Sequence, residues 1–232
     1  MTSSISKTQK IVRQMVSADI HLGHRIRNPK MIPYIYTKKD GLQIIDLFQT
    51  YCSLKKASSF LYDISKSGKR VLFVGTRKYI AKYIEQIANE CNSWYINKRW
   101  LGGLLTNWDT LKHSKFKMQK IEIKKNQTKK ERARIEQQKK KLRKYLNGIK
   151  TMYKQPDIVI IIGQKREMNA VKECRKLKIP ILTILDTNGN PDLTDLFIPA
   201  NDNSLKSITF ILNDLSKAIK KGQEHKEISK IS

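Results

Sequence analysis

An α/β fold, with a parallel sheet covered by helices on both faces, is what this sequence predicts. Three observations lead there. Short β-branched runs alternate along the chain with segments of helical periodicity. One run, Asp157 to Ile162, is almost continuously Ile and Val, as a strand buried on both faces requires. A strongly basic stretch, Lys112 to Lys154, breaks the alternation at a single place and carries a periodicity of its own.

Taken in order, Met1 to Ser17 has four Ser, two Thr, basic residues and no acid. That composition suits either a transit peptide or a short basic arm leading into a first helix. Leu42 to Phe48 is an apolar run with Asp46 near its end, read as a buried strand. Thr50 to Lys66 places Cys52, Leu54, Ala57, Phe60, Leu61 and Ile64 at helical spacing. Arg70 to Val74 reads as a strand ended by Gly75, and Tyr79 to Cys91 as a helix with Ile80, Tyr83, Ile84 and Ile87 on one face. Ser93 to Ile96 is a brief strand. After the basic stretch come the strand at Asp157 to Ile162, a helix at Met168 to Leu177, and a strand at Ile181 to Leu185 behind Pro180. A closing amphipathic helix spans Leu205 to Ile219.

The basic stretch holds 17 Lys or Arg in 43 residues against Glu122, Glu131 and Glu136, a net +14 of the chain's formal +27. Such concentration of like charge opposes compaction, so it implies a polyanionic partner. Solvated helices normally mix signs and pair them at i,i+4; here the acids are too few. Leu142, Tyr145, Leu146, Ile149, Met152 and Tyr153 recur at three- and four-residue steps, and Leu111, Met118 and Ile121 do so more weakly. Thr128 with Glu131 fits a capping box beyond a tip near Asn126 to Thr128. The expectation is a projecting pair of antiparallel helices, the second about 37 Å long. Domain organisation follows: residues 1–111 and 151–225 form one discontinuous α/β body, 112–150 a basic helical hairpin insertion, and 226–232 a flexible tail.

Composition excludes several classes. The longest aliphatic run, Ile158 to Ile162, is far short of the roughly 20 residues a membrane-spanning helix needs. Cys52, Cys91 and Cys174 are scattered and odd in number, which supports neither a zinc ribbon nor a disulfide framework and makes a reducing compartment the default. His21 and His24 lack a third ligand, so they read as a hydrogen-bonded structural pair and no metal is expected. The Gly75 turn lacks the spacing of a nucleotide-binding loop, and no cofactor is expected. Asp186, Asp192, Asp195 and Asp202 follow the last strand, where acids can hold magnesium for phosphoryl chemistry. The turn-forming run Thr187 to Asp192 favours an ordinary loop. A Rossmann-like hydrolase or transferase that uses Asp186 to Asp202 on RNA is the alternative class; a free regulatory RNA-binding protein is a third. In Asn97 to Trp108 two Trp flank a Gly pair beside Lys98 and Arg99, a composition that serves either base stacking or anchoring of the hairpin.

Several segments occur in a set order: Asp19-Ile20-His21-Leu22-Gly23-His24, Asn28-Pro29-Lys30-Met31, Ile44-Ile45-Asp46-Leu47, Phe73-Val74-Gly75-Thr76, Arg99-Trp100-Leu101-Gly102-Gly103-Leu104-Leu105-Thr106-Asn107, Pro156-Asp157, and Ile184 to Asn188 through Ile198 to Asp202. Together they resemble the small-subunit ribosomal protein S-two family of bacterial and plastid type, over roughly residues 10–221. The resemblance implies a flavodoxin-like parallel five-stranded sheet with an inserted α-helical coiled-coil hairpin. It implies a non-catalytic constituent of the small ribosomal subunit. The expected partners are small-subunit ribosomal RNA and neighbouring ribosomal proteins, with no membrane and no small-molecule substrate. Gly163-Gln164, Gly189-Asn190 and Asn203 depart from the family by lacking acids, which weakens a magnesium site further. Because the family core begins by about Asp19, the N-terminal segment reads as arm and first helix. With 36 Lys against 11 Arg, and 30 Ile, the composition suggests an AT-rich genome and a plastid stroma, with bacterial cytoplasm or a mitochondrion as alternatives. The residues expected on RNA are Arg25, Arg27, Lys30, Lys98 and Arg99 from the body. From the hairpin they are Lys112, Lys115, Lys117, Lys124, Lys125, Lys129, Lys130, Arg132, Arg134, Lys139, Lys140, Arg143 and Lys144.

Overall fold

The computed structural model describes residues 2–113, 136–137, 140 and 145–231, with side chains between residues 9 and 228. Helix α1 (Thr2–Ser17) leads to a short antiparallel pair, β1 (Ile35–Lys39) and β2 (Leu42–Ile45). Helix α2 (Leu47–Lys66), strand β3 (Val71–Val74), helix α3 (Ala81–Glu90) and strand β4 (Trp94–Ile96) follow. The chain then continues through β5 (Ile158–Ile162), α4 (Met168–Lys176), β6 (Ile181–Leu185), β7 (Leu196–Pro199) and α5 (Leu205–Ile231). The main sheet has five parallel strands in the order β4-β3-β5-β6-β7. Numbered within the sheet, that order is 2-1-3-4-5, the doubly wound flavodoxin-like arrangement.

Alternate residues along the central strands feed two separate cores. Val71 and Phe73 of β3, with Ile158 and Ile160 of β5, pack against Leu54 and Leu61 of α2, Ile84 of α3 and Ile211 of α5. Leu72 and Val74, with Val159 and Ile161, face the opposite way onto Ala170 and Val171 of α4. Strands buried on both faces favour apolar residues at every position, which is why β3 and β5 read as unbroken apolar runs and β6 departs from one only at the buried Thr183. Trp100, Leu104, Leu105 and Leu111 on one side of the basic stretch, and Leu146, Ile149 and Met152 on the other, complete the second layer.

Two strand assignments change. Leu42 to Phe48 is not a strand of the main sheet. Its first half pairs with β1 in alternating burial, and Asp46 then caps α2 by accepting from Phe48 N at 2.8 Å and Gln49 N at 3.4 Å. Phe48 is therefore left exposed. The fifth strand is instead β7, inside the segment read as a loop; it pairs only with β6 and ends at Pro199, which an edge strand tolerates. The periodicity through Tyr153 also stops being helical: Asn147–Ile149 is a 3-10 turn, and Leu146, Ile149 and Met152 face the sheet. The coiled-coil hairpin expected from residues 112–150 otherwise lies outside the described residues, apart from residues 112, 113, 136, 137, 140 and 145–150.

Candidate nucleic-acid interface

In doubly wound sheets ligands bind beyond the carboxyl ends of the strands, at the point where strand order reverses. Here that point lies between β3 and β5, where side chains that follow the two strands hydrogen-bond to one another. Glu167 is buried and its Oε1 accepts from Thr76 N at 3.0 Å and Thr76 Oγ1 at 2.5 Å. Arg166 Nε donates to Thr76 Oγ1 at 3.1 Å. Beside them Arg77 reaches across Gly163 to Asp202, donating to its carbonyl oxygen and, at 3.0 Å, to Oδ1. Gly75 has no left-handed backbone; a Cβ there would sit 2.5 Å from Ile84 Cδ1, so close packing of α3 on β3 is what excludes a side chain.

The acids after β6 are structural. Asp186 is 1% exposed, and Oδ1 accepts from His24 N at 3.1 Å and Thr187 N at 2.6 Å, while Oδ2 accepts from Asn203 Nδ2 at 3.3 Å. Burial, and then the nearby Asp202, push its pKa up to about 6. Asp195 accepts from Ile181 N and Asp192 pairs with Lys30, so the four acids do not converge. Among the described residues no group of three or more His, Cys, Asp or Glu is arranged to hold a metal. The two histidines are not hydrogen-bonded to each other among those residues: His24 Nδ1 accepts from Ile26 N at 3.2 Å, and His21 Nδ1 is buried without a partner.

The organising group of the edge is Glu173 on α4, which the sequence reading missed. The residue is 9% exposed and its carboxylate accepts five hydrogen bonds from the loop after β4. Oε1 takes Trp100 Nε1 and Gly103 N, both at 2.8 Å; Oε2 takes Leu105 N at 2.9 Å, Thr106 N at 3.1 Å and Thr106 Oγ1 at 3.3 Å. Burial opposes the charged form, but the bonds from Trp100, Leu105, Thr106 and Gly103 outweigh it and hold the pKa below the ordinary value. Gly103 turns the loop at φ +80°, a conformation that favours glycine; Gly102 meets nothing and needs no such freedom. Trp100 is thereby an anchor in the core, with Trp108 packed beside it, and neither is a free stacking platform. The available signal was Glu173 itself, an acid on the same face as Ala170 and Cys174.

Fixing that loop presents Lys98 and Arg99 outward from the end of β4. They line a cavity of about 300 Å³ with Arg166, Thr76 and Trp100. The segment carrying Arg25, Arg27 and Lys30 is tied to the same edge of the sheet, beyond β6, by Asn28 N donating to Thr187 O at 2.8 Å. The structure thus gathers all five body cations at the carboxyl edge, and adds the exposed Lys78, Lys165 and Arg166, which sequence reading omitted. Among the described residues Arg25, Arg27, Lys98 and Arg99 form no ion pair, whereas Lys30 is held by Asp192. Lys112 is exposed, 3.5 Å from Asp109 and 5.8 Å from the Trp108 ring centre; Lys140 is exposed. Lys115, Lys117, Lys124, Lys125, Lys129, Lys130, Arg132, Arg134, Lys139, Arg143 and Lys144 lie outside the described residues.

The fold and this edge define the class: a doubly wound α/β protein with exposed cations along the carboxyl ends of its strands. Comparison with known proteins gives the particular family. Residues 15–222 match the family model for ribosomal protein S2. The chain is 46% identical over 221 residues to small ribosomal subunit protein uS2c of Oltmannsiellopsis viridis, covering 92% of this chain and 93% of the relative. It is 46% identical over 227 residues to uS2c of Galdieria sulphuraria, covering 94% and 96%. It is 47% identical over 218 residues to uS2 of Nostoc punctiforme, covering 90% and 83%. The chain belongs to the ribosomal protein S2 family.

Proposed function

We propose that this chain is a structural constituent of the small ribosomal subunit, acting in translation by docking on ribosomal RNA and neighbouring ribosomal proteins, without catalysis. The observation that carries the RNA contact is the rim of cations at the carboxyl edge: Glu173 fixes the loop that follows Lys98 and Arg99, Asn28 ties down the segment of Arg25 and Arg27, and among the described residues these four form no ion pair. Cations not already paired with acids are available to neutralise phosphates and release the RNA's condensed counterions. The charge of residues 112–144 extends the same basic surface chemistry along the chain, with folded RNA recognised through shape and phosphates rather than base sequence. The enzyme alternative finds no support in the family match, and its Asp186 is buried and taken up by His24 N, Thr187 N and Asn203 Nδ2.

The setting is a ribosome of plastid or bacterial type, and the Lys and Ile bias favours the plastid stroma. Sedimentation of a plastid or bacterial extract containing the tagged chain tests the assignment. It should travel with the small subunit; a protein confined to the top of the gradient would contradict it.

A further inference from the structure

A second cationic groove lies at the opposite, amino-terminal edge of the sheet, where β3 and β5 begin. It is a cavity of about 220 Å³ lined by Lys69, Arg70, Asn92, Tyr153, Lys226 and Glu227, among others. Ligand pockets for whole small molecules run to about 300–1,000 Å³, so this groove suits a fragment of a larger partner. Its aromatic wall is pre-set. Tyr153 is 65% exposed, yet its ring stands edge-on to the buried Trp94, with centroids 5.8 Å apart and planes at 81°. Arg70 lies over the same Trp94 ring, 6.0 Å from the centroid, and its Nη1 donates to Asn92 O at 2.9 Å.

The charge of the groove is positive. Lys69, Arg70 and Lys226 face one carboxylate, Glu227. The neighbouring Asp157 is already neutralised: Lys154 Nζ lies 2.8 Å from Oδ2, and Arg70 N donates to Oδ2 at 2.7 Å. An exposed ring with cations around it is the composition that binds unpaired nucleotides: the base stacks on the ring and the flanking phosphates meet the cations. A paired helix hides its base faces, so it cannot use the ring.

Resting on the RNA-docking reading above, we propose that this groove is a separate site for a single unstacked nucleotide of RNA, its base on Tyr153 and its phosphates toward Lys69 and Lys226. Photocrosslinking of the full chain with a short single-stranded oligouridylate carrying one 4-thiouridine tests this. The expected crosslink falls at Tyr153 and is competed by unlabelled single strand but not by a duplex of equal phosphate number. Tyr153→Ala should lower its yield about tenfold and Tyr153→Phe should keep it within about twofold, since stacking needs the ring and not the hydroxyl. The exposure of Tyr153 leaves folding intact, checked by an unchanged urea midpoint. Lys69→Ala with Lys226→Ala should weaken the same crosslink, most at low salt. Crosslinks that map elsewhere and ignore Tyr153→Ala, equal loss in Tyr153→Phe, or equal competition by duplex would each overturn the site while leaving RNA docking standing. Failure of the chain to bind either RNA would remove the docking reading, and this site with it.

Discussion

Replacing Glu173 by Ala should unfasten the loop that carries Lys98 and Arg99. Four N–H donors and one hydroxyl would lose their acceptor. Two of those bonds, from Trp100 Nε1 and Leu105 N, are fully buried. A buried donor left unpaired costs about 1–3 kcal/mol, so these two alone amount to about 2–6 kcal/mol. Relief from burying the carboxylate offsets part of that, and the three partly exposed donors recover water. A net loss of about 3 kcal/mol is a large share of the roughly 5–15 kcal/mol that holds a domain together. With a urea slope of about 1–3 kcal/mol/M, the midpoint should fall by about 1–3 M, read from Trp fluorescence on the full chain. The contribution also has a pH sign. Glu173's folded pKa lies below its unfolded value, so its stabilisation is fully present above the unfolded carboxylate pKa and is lost as pH falls through the folded one. The wild-type-minus-variant difference should therefore shrink in acid. A midpoint shift no larger than that of a surface substitution, about 0.5 kcal/mol, would refute the clamp.

Other substitutions probe separate parts of the molecule. Asp186→Asn should abolish a component of opposite sign. The folded carboxyl keeps its proton up to about pH 6 and the unfolded one only to about 4, so wild type gains stability relative to the variant as pH falls through that window. The gain is on the order of 3 kcal/mol; parallel denaturation curves for the two proteins across the window would contradict it. Gly75→Val should destabilise by about 1–3 kcal/mol through overpacking against Ile84 and Ile80, whereas Gly102→Ala should be close to neutral in the same urea assay. Removing the charges of Arg25, Arg27, Lys98 and Arg99 should flatten the slope of log affinity for ribosomal RNA against log salt by about 0.7–0.9 for each phosphate no longer neutralised. An unchanged slope in filter binding would mean that the rim is only solvated.

How far the chain could be read without its structure depended on the range of the interaction concerned. The α/β class, the buried strands β3, β5 and β6 and the helices α2 to α4 were legible, because each rests on a periodicity contained within its own segment; α5 was legible only to Ile219, and it runs on to Ile231 through residues expected as a flexible tail. The edge strand β7 was not, since four residues, two half-buried and two buried, ending in Pro199 leave too short a pattern beside the turn formers around it. Leu42 to Ile45 carried a strand's composition but no sign of which sheet it joins, and that depends on pairing with Ile35 to Lys39. At the candidate interface, Lys98 and Arg99 stood out by their company with Trp100 and the Gly pair. Arg166 and Lys165 did not, because only the 2-1-3-4-5 order brings the end of β5 beside the ends of β3 and β4.

By itself, then, the sequence determined that the protein is a basic α/β chain suited to a polyanion: charge and period are properties of neighbouring residues and survive without a fold. Its ordered motifs pointed to the family as well. Only the tertiary structure decided why those motifs are there. Glu173 meets Trp100 across 73 residues of chain, and Asp186 meets His24 across 162. Hydrogen bonds of that range impose no spacing on the residues between them, so no local pattern announces them. They exist only once the sheet has brought its strand ends together, and they turn a row of exposed cations into a fixed surface.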